Sequence, residues 1–266
     1  MLSNNLTDYK YMLGILSDLA NDFIRFLEKG FIMANVKVTP KSVTMKVTVS
    51  SPNLSIRTSL TMQHIHASAH FASLSADLEK SYSGKVPQKQ DTKHKAYVTG
   101  AIVSAAAFLE AVINEIYIDA TERSQYLLKS LAPNEVEAIG AVWGDVEDKR
   151  ISTLPKYQLA LALAQKKKFE EGKSFYQDVA SLIDLRNALV HYKPEWDTKQ
   201  KMHKKIEDRL RGKFSLNPWS PKNAVFFPKK CLSYGCAEWA VSASIKFVND
   251  FYSRLGVEKK VNIGSH

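Results

Sequence analysis

Residues 175–196, FYQDVASLIDLRNALVHYKPEW, hold the side chains best suited to chemistry: Arg186, Asn187 and His191. A guanidinium is a permanent forked donor for oxyanions, and histidine is the side chain whose ordinary charge change lies near neutrality. Together they suit proton transfer beside a neutralised oxyanion. On a helical wheel of about 100° per residue, with Val179 at zero, Phe175, Leu182, Ile183, Leu189 and Val190 form an apolar stripe. Arg186 falls at about 340°, inside that stripe. An arginine on a core-facing stripe is costly unless it is paired or opens onto a cleft. Asn187 and His191 are four apart and share a face, and Pro194 stops the helix just beyond them.

These groups need a partner element, and the run YVTGAIVSAAAFLEAVINEIYID supplies one. Val98, Ala101, Ile102, Ala105, Leu109, Val112, Ile113 and Ile116 form its main stripe, and Val103, Ala107, Glu110, Asn114 and Tyr117 its opposite flank. A helix apolar on most sides is buried on most sides. Glu110 is therefore placed to pair with Arg186 or to orient His191; the alternative is a structural buried ion pair with no chemistry.

The remaining elements follow from periodicity and punctuation. Helices are predicted over 6–30, 63–80, 97–121, 133–148, 155–169 and 173–192, and over 229–255 with Gly256 as its stop. Alternating residues such as Val43, Met45, Val47 and Val49 predict two or three short antiparallel strands within 33–62. Residues 83–95 lack apolar periodicity and read as an exposed loop, and 217–228 as a loop or extended segment. The expected organisation is an N-terminal α+β region over 1–82, a linker over 83–96, a helical domain over 97–256 with a basic insertion near 199–227, and a tail over 257–266.

The chain has 266 residues, 45% hydrophobic and 24% charged, enough for a real core and far from the composition of a disordered chain. Its net charge of +10 is uneven. Residues 101–198 sum to −4, whereas 199–266 carry 14 basic and 5 acidic groups, a net of +9. Within that stretch, KQKMHKKIEDRLRGKF predicts a helix over 199–213 and suits a polyanion; Lys193, Lys199, Lys201, Lys204, Lys205, Arg209 and Arg211 are the candidate nucleic-acid contacts. Cys231 and Cys236 are the only cysteines, too few for a disulfide framework or a zinc site, which suits the cytoplasm. No phosphate loop, dinucleotide fingerprint, nucleophile elbow or zinc-protease motif occurs. His66 and His70 are four apart, but no acidic residue follows until Asp77, so a surface or packing role is expected and no metal site. The apolar run around 102–118 is interrupted by Glu110, Asn114 and Glu115, so neither a membrane span nor a signal peptide is expected.

The segment LRNALVHYK, with arginine, asparagine and then histidine after a four-residue gap at a helix end, resembles the R-x(4–6)-H signature of HEPN domains. FLEAVINEIY and CAEWAVSASIKFVNDFY also resemble HEPN helices, and the resemblance covers roughly residues 97–255. It implies a mainly α fold, a HEPN-like antiparallel helical bundle, with the small N-terminal α+β region outside it. It implies a homodimer whose two motifs meet across a cleft, and a metal-independent endoribonuclease with no cofactor, of toxin–antitoxin or phage-defence type. Its partners would be RNA and an antitoxin or defence-complex protein. Other members are non-catalytic interaction or nucleotide-binding modules. The tyrosine that some toxins carry two places after the histidine is Lys193 here. On this reading His191 moves protons, Arg186 neutralises the phosphate and Asn187 orients either group, while the RNA 2′-hydroxyl is the nucleophile. The products would be a 2′,3′-cyclic phosphate and a 5′-hydroxyl. The four tryptophans are expected to pack, with only Trp219, in its proline-flanked loop, open to a base-stacking role.

Overall fold

The computed structural model describes residues 57–263, apart from 83, 85, 125, 126 and 197. The chain divides into two units, Met1–Ser55 and Ile56–His266. The helix expected over 6–30 and nearly all of the strands expected over 33–62 lie outside the described residues. The end of that strand region, residues 57–62, is irregular up to Leu60 and helical from Thr61. The described residues are mainly helical and contain no strand.

Eight α-helices follow: α1 (Thr61–Ser81), α2 (Gln88–Thr121), α3 (Pro133–Ala141), α4 (Trp143–Asp148), α5 (Thr153–Leu163), α6 (Ser174–Val190), α7 (Met202–Leu210) and α8 (Tyr234–Leu255). A short irregular turn, Phe226–Lys230, precedes α8. The organising element is α2, at 34 residues about 51 Å long. Val98, Ile102, Leu109, Val112, Ile113 and Ile116 are fully buried on it, and α1, α3, α5, α6 and α8 all pack against it. By length and composition α2 is apolar enough to cross a bilayer, contrary to the expectation from its three polar interruptions. Here its apolar faces are covered by the other helices of the bundle.

The loop expected over 83–95 is a correction. From Gln88 onward the chain is helical, and α1 belongs to the same compact unit as α2 rather than to a separate N-terminal region. The two helices run antiparallel: the Ser68 hydroxyl donates to Ala101 O at 2.8 Å, and near the connection Glu79 meets His94. His94 explains the helix. Its ring is fully buried, 2.8 Å from Glu79 Oε1 and packed at 4.7 Å on Trp219. A contact 125 positions away thus holds a turn that has no apolar period of its own.

The helix predicted over 133–148 is broken at Val142 into α3 and α4, and the one over 155–169 ends at Leu163. The helices predicted over 63–80, 173–192 and 229–255 match Thr61–Ser81, Ser174–Val190 and Tyr234–Leu255 within five residues. Gly256 does stop α8, with φ 89° and its amide donating to Tyr252 O at 2.9 Å. The core joins α5, α6 and α8 through aromatic rings: Phe247 lies edge-on to Tyr157 at 4.9 Å and stacks on Phe169 at 4.6 Å. Close backbone approach matters at Gly140 of α3, where a Cβ would lie 2.8 Å from the carbonyl carbon and oxygen of Ala120. Backbone cannot swing aside, so Gly140→Ala is expected to cost about 1–3 kcal/mol, read as a lower urea midpoint. An unchanged midpoint would show that α3 can shift without loss.

Candidate functional site

Helix α6 buries Tyr176, Val179, Leu182 and Leu185 against α2 and α8. That burial ends at Leu185. The last turn emerges from the core: Arg186 and Leu189 are half-buried and Val190 is 53% exposed. Arg186 therefore sits on the predicted stripe, but where the stripe leaves the core. Beyond it His191 terminates the helix with φ −107° and ψ 41°, its amide donating to Asn187 O at 2.9 Å.

Two cavities flank this helix end. The first, about 810 Å³, lies between the end of α6, α7 and the turn before α8, and is lined by Asn187, His191, Lys193, His203, Lys205 and Arg209, together with Asp184, Asp208 and Phe227. The second, about 610 Å³, lies among α2, α4, α5 and α6, and its polar lining includes Glu110, Asn114, Lys156, Arg186 and Asn187. Asn187 borders both. Arg186 and His191 thus open into different cavities of the same chain.

Glu110 pairs with neither of them. It accepts from Lys156 Nζ at 2.5 Å and from the Thr153 hydroxyl, while Lys156 Nζ also donates to Asn114 Oδ1 at 2.9 Å. The Lys156 side chain is only 9% exposed, and a buried ammonium demands a counter-ion, so it takes the carboxylate that Arg186 was expected to use. Arg186 has no hydrogen-bond or acidic partner among the described residues.

The basic block divides in the same way. Lys204 pairs with Asp208 at 2.8 Å, Arg211 with Glu207, and Arg209 with Asp184. Lys193, Lys199, Lys201 and Lys205 have no acidic partner among the described residues and are all exposed. The predicted helix over 199–213 is shorter, Met202–Leu210, and its start is held by Glu195. That carboxylate accepts from the amides of Lys201, Met202 and His203 at 3.0–3.1 Å. The amide of Met202 foremost, then that of His203, holds the Glu195 carboxyl below its ordinary value of 4.5. The folded state thus favours the carboxylate, so its contribution is complete above pH 4.5 and is lost as pH falls through the depressed value. Glu195→Ala is expected to raise amide exchange across Met202–Leu210 at neutral pH, and wild type to show the same rise only in acid. Equal exchange in both proteins at neutral pH would deny the cap.

Sequence reasoning missed His203, which was read only as part of a basic run. Its spacing with Ile206 and Leu210, three and seven residues on, marks the buried face of α7. The ring stacks on Tyr192 at 5.5 Å and meets Phe227 edge-on at 5.0 Å. Nε2 lies 3.1 Å from Lys193 O and Nδ1 3.7 Å from Glu195 Oε2. Trp196 is the second correction. It is 80% exposed and does not pack, whereas Trp219 is half-buried, packs on His94 and donates from Nε1 to Tyr82 O. Both thiols are buried, with Cys231 pushed up to about 12 by desolvation, so neither serves as a nucleophile at neutral pH. Among the described residues no group of three His, Cys, Asp or Glu side chains is placed to hold a metal.

Fold and site together define a helical-bundle protein with a histidine-ended helix between a cation-lined cavity and a second cavity that holds an unpaired arginine. Comparison of the chain with protein-family models, with curated proteins and with solved structures finds no match.

Proposed function

We propose that this chain is a HEPN-like, metal-independent endoribonuclease. The observation that carries the reading is the end of α6. His191 lines a cavity with Lys193 and Lys205, and Arg186, earlier on the same helix, stands beside the shared Asn187 with no counter-ion among the described residues. A strand laid across Asn187 would bring its phosphate toward Arg186 and its 2′-hydroxyl toward His191. Attack of the 2′-oxygen on phosphorus expels the 5′-oxygen, with one proton removed and one supplied. Both ring nitrogens of His203 face acceptors, so it is poorly placed as the second proton carrier. A second His191 from another copy of the chain would fill that role, which is the reason to propose a homodimer. A toxin–antitoxin or phage-defence setting in the cytoplasm, with a protein that restrains the activity, belongs to the same proposal.

The test is incubation of the purified chain with total RNA in EDTA, followed by mapping of the ends. Cyclic phosphate and 5′-hydroxyl ends are expected. A magnesium requirement, or 3′-hydroxyl ends, would sink the mechanism.

A second reading, RNA binding without cleavage, is favoured by the fact that Arg186 and His191 line different cavities. Both readings share a salt dependence. Replacing Lys193, Lys199, Lys201 and Lys205 together is expected to flatten the slope of log K against log salt by up to about 3 for single-stranded RNA. Replacing Lys204 and Arg211, whose charges are already met by acids, should change it little. Equal losses from the two sets would mean that the ion pairs do not decide which cations meet RNA.

A further inference from the structure

We infer that the connection between α6 and α7 is a subsite for unpaired RNA, in which Tyr192 and Trp196 stack nucleobases and Lys193, Lys199 and Lys201 meet the phosphates. This rests on the RNA reading above and gives that site its substrate class, a single strand. Among the described residues six large apolar side chains are exposed, and four of them, Val190, Tyr192, Trp196 and Met202, fall between positions 190 and 202. Exposed apolar groups gathered in one place mark a surface that a partner covers. The same stretch carries the three lysines, all exposed and without an acidic partner among the described residues. Each of the two rings is followed by a lysine within three positions. A surface that is aromatic and cationic at once suits a strand whose bases are aromatic and whose backbone is anionic.

The ring stack selects RNA over an acidic protein. Tyr192 lies on His203 at 5.5 Å and 25°, and His203 meets Phe227 edge-on at 5.0 Å. His203 is itself held, buried with Nε2 3.1 Å from Lys193 O and Nδ1 3.7 Å from Glu195 Oε2. Tyr192 is therefore backed by a fixed ring and yet 46% exposed. A ring that is already ordered loses little entropy when a base stacks on it. An acidic peptide would be met by the lysines and would leave both rings in water. A duplex keeps its bases stacked on one another and offers these rings no face. Tyr192 also follows His191 directly, so a base held on it fixes the strand beside the imidazole.

Trp196 is the one exposed tryptophan of the four, so a change in exposed tryptophan emission reports on the subsite. The experiment titrates the full chain with a 2′-O-methyl oligouridylate, which has no free 2′-hydroxyl and so is bound without being cut. The comparison ligands are the same strand annealed to a 2′-O-methyl complement and an abasic strand of equal length. The single strand is expected to quench Trp196 and to bind at least about tenfold more tightly than either comparison ligand. Trp196→Ala and Tyr192→Ala should each weaken the single strand roughly 5- to 100-fold, the contribution of one stacked base, and leave the other two ligands unchanged. Tyr192→Phe and Trp196→Phe keep a ring and should stay within about threefold of wild type, Trp196→Phe without the quench. Because Trp196 does not pack, Trp196→Ala keeps its thermal midpoint and carries the test even where Tyr192→Ala loosens the turn. Equal binding of all three ligands, with no quench, would overturn the subsite and leave the RNA reading standing on its lysines. Single-strand binding with the quench, but without cleavage of unmodified RNA, would uphold the subsite and remove the nuclease. No binding of any ligand at about 1 mM would overturn both. Loss of self-association in the two alanine variants, with single-strand affinity unchanged, would give the rings to a second copy of the chain and overturn the subsite.

Discussion

Replacing His191 with alanine is expected to lower RNA cleavage in EDTA by about 10²- to 10⁴-fold, the usual worth of a positioned proton carrier. The side chain is exposed, and its structural duty is a backbone one, the amide bond to Asn187 O that closes α6. Alanine keeps that amide, so stability should change by no more than about 0.5 kcal/mol. The separation of these two effects is the useful feature of the variant. A protein with wild-type thermal midpoint and wild-type RNA affinity, but with cleavage reduced by two orders of magnitude, has lost proton transfer and nothing else. Cleavage within tenfold of wild type would remove His191 from the chemistry and leave the cavity as a binding surface. If two copies share one cleft and each supplies one proton carrier, dimers mixed from wild type and His191→Ala should lose most of the activity, because each mixed cleft keeps a single His191.

Phe247→Ala is expected to destabilise the helical unit by about 3–5 kcal/mol, the range for truncating a large ring in a tight core. Phe247 is fully buried on α8 and meets Tyr157 of α5, Phe169, and Phe175 and Tyr176 of α6. Alanine would leave a cavity at the point where three helices meet, and the rings around it cannot collapse together without moving the helices. The urea midpoint should fall while the slope of the transition stays constant. For a unit of about 200 residues the thermal midpoint should drop by roughly 6–20 °C. Because α6 is one of the three helices, weaker RNA binding is expected well below the midpoint only if the end of α6 depends on this packing. A loss under about 1.5 kcal/mol would show that the cluster repacks.

The elements that were legible in the sequence are those whose signal is local. The apolar period of residues 97–121 belongs to a helix buried on several sides, and the stripe residues from Val98 to Ile116 are all fully buried. Gly256 and Pro194 punctuate α8 and α6 as the backbone chemistry of those residues requires. Of the candidate site residues, Arg186, Asn187 and His191 lie at the end of α6, His191 lining the cavity beside the basic helix α7 and Arg186 the other, while Glu110 is taken by Lys156. These relations were not legible in the sequence. The first turns of α2 have no period of their own and are held by His94 against Trp219.

The sequence alone determined the helices that carry an apolar period of their own among the described residues, and which side-chain types are at hand for acid–base and anion chemistry, since backbone preference and side-chain type act over a few neighbouring positions. Tertiary structure alone decided the pairings. Lys156 took Glu110, Arg209 took Asp184, and Lys193, Lys199, Lys201 and Lys205 were left without acids among the described residues. It also decided that Arg186 and His191 open into different cavities and that Trp196 faces solvent. Charges and rings are matched through space, across dozens of residues, and a burial that costs free energy is settled only by whatever the rest of the chain brings alongside.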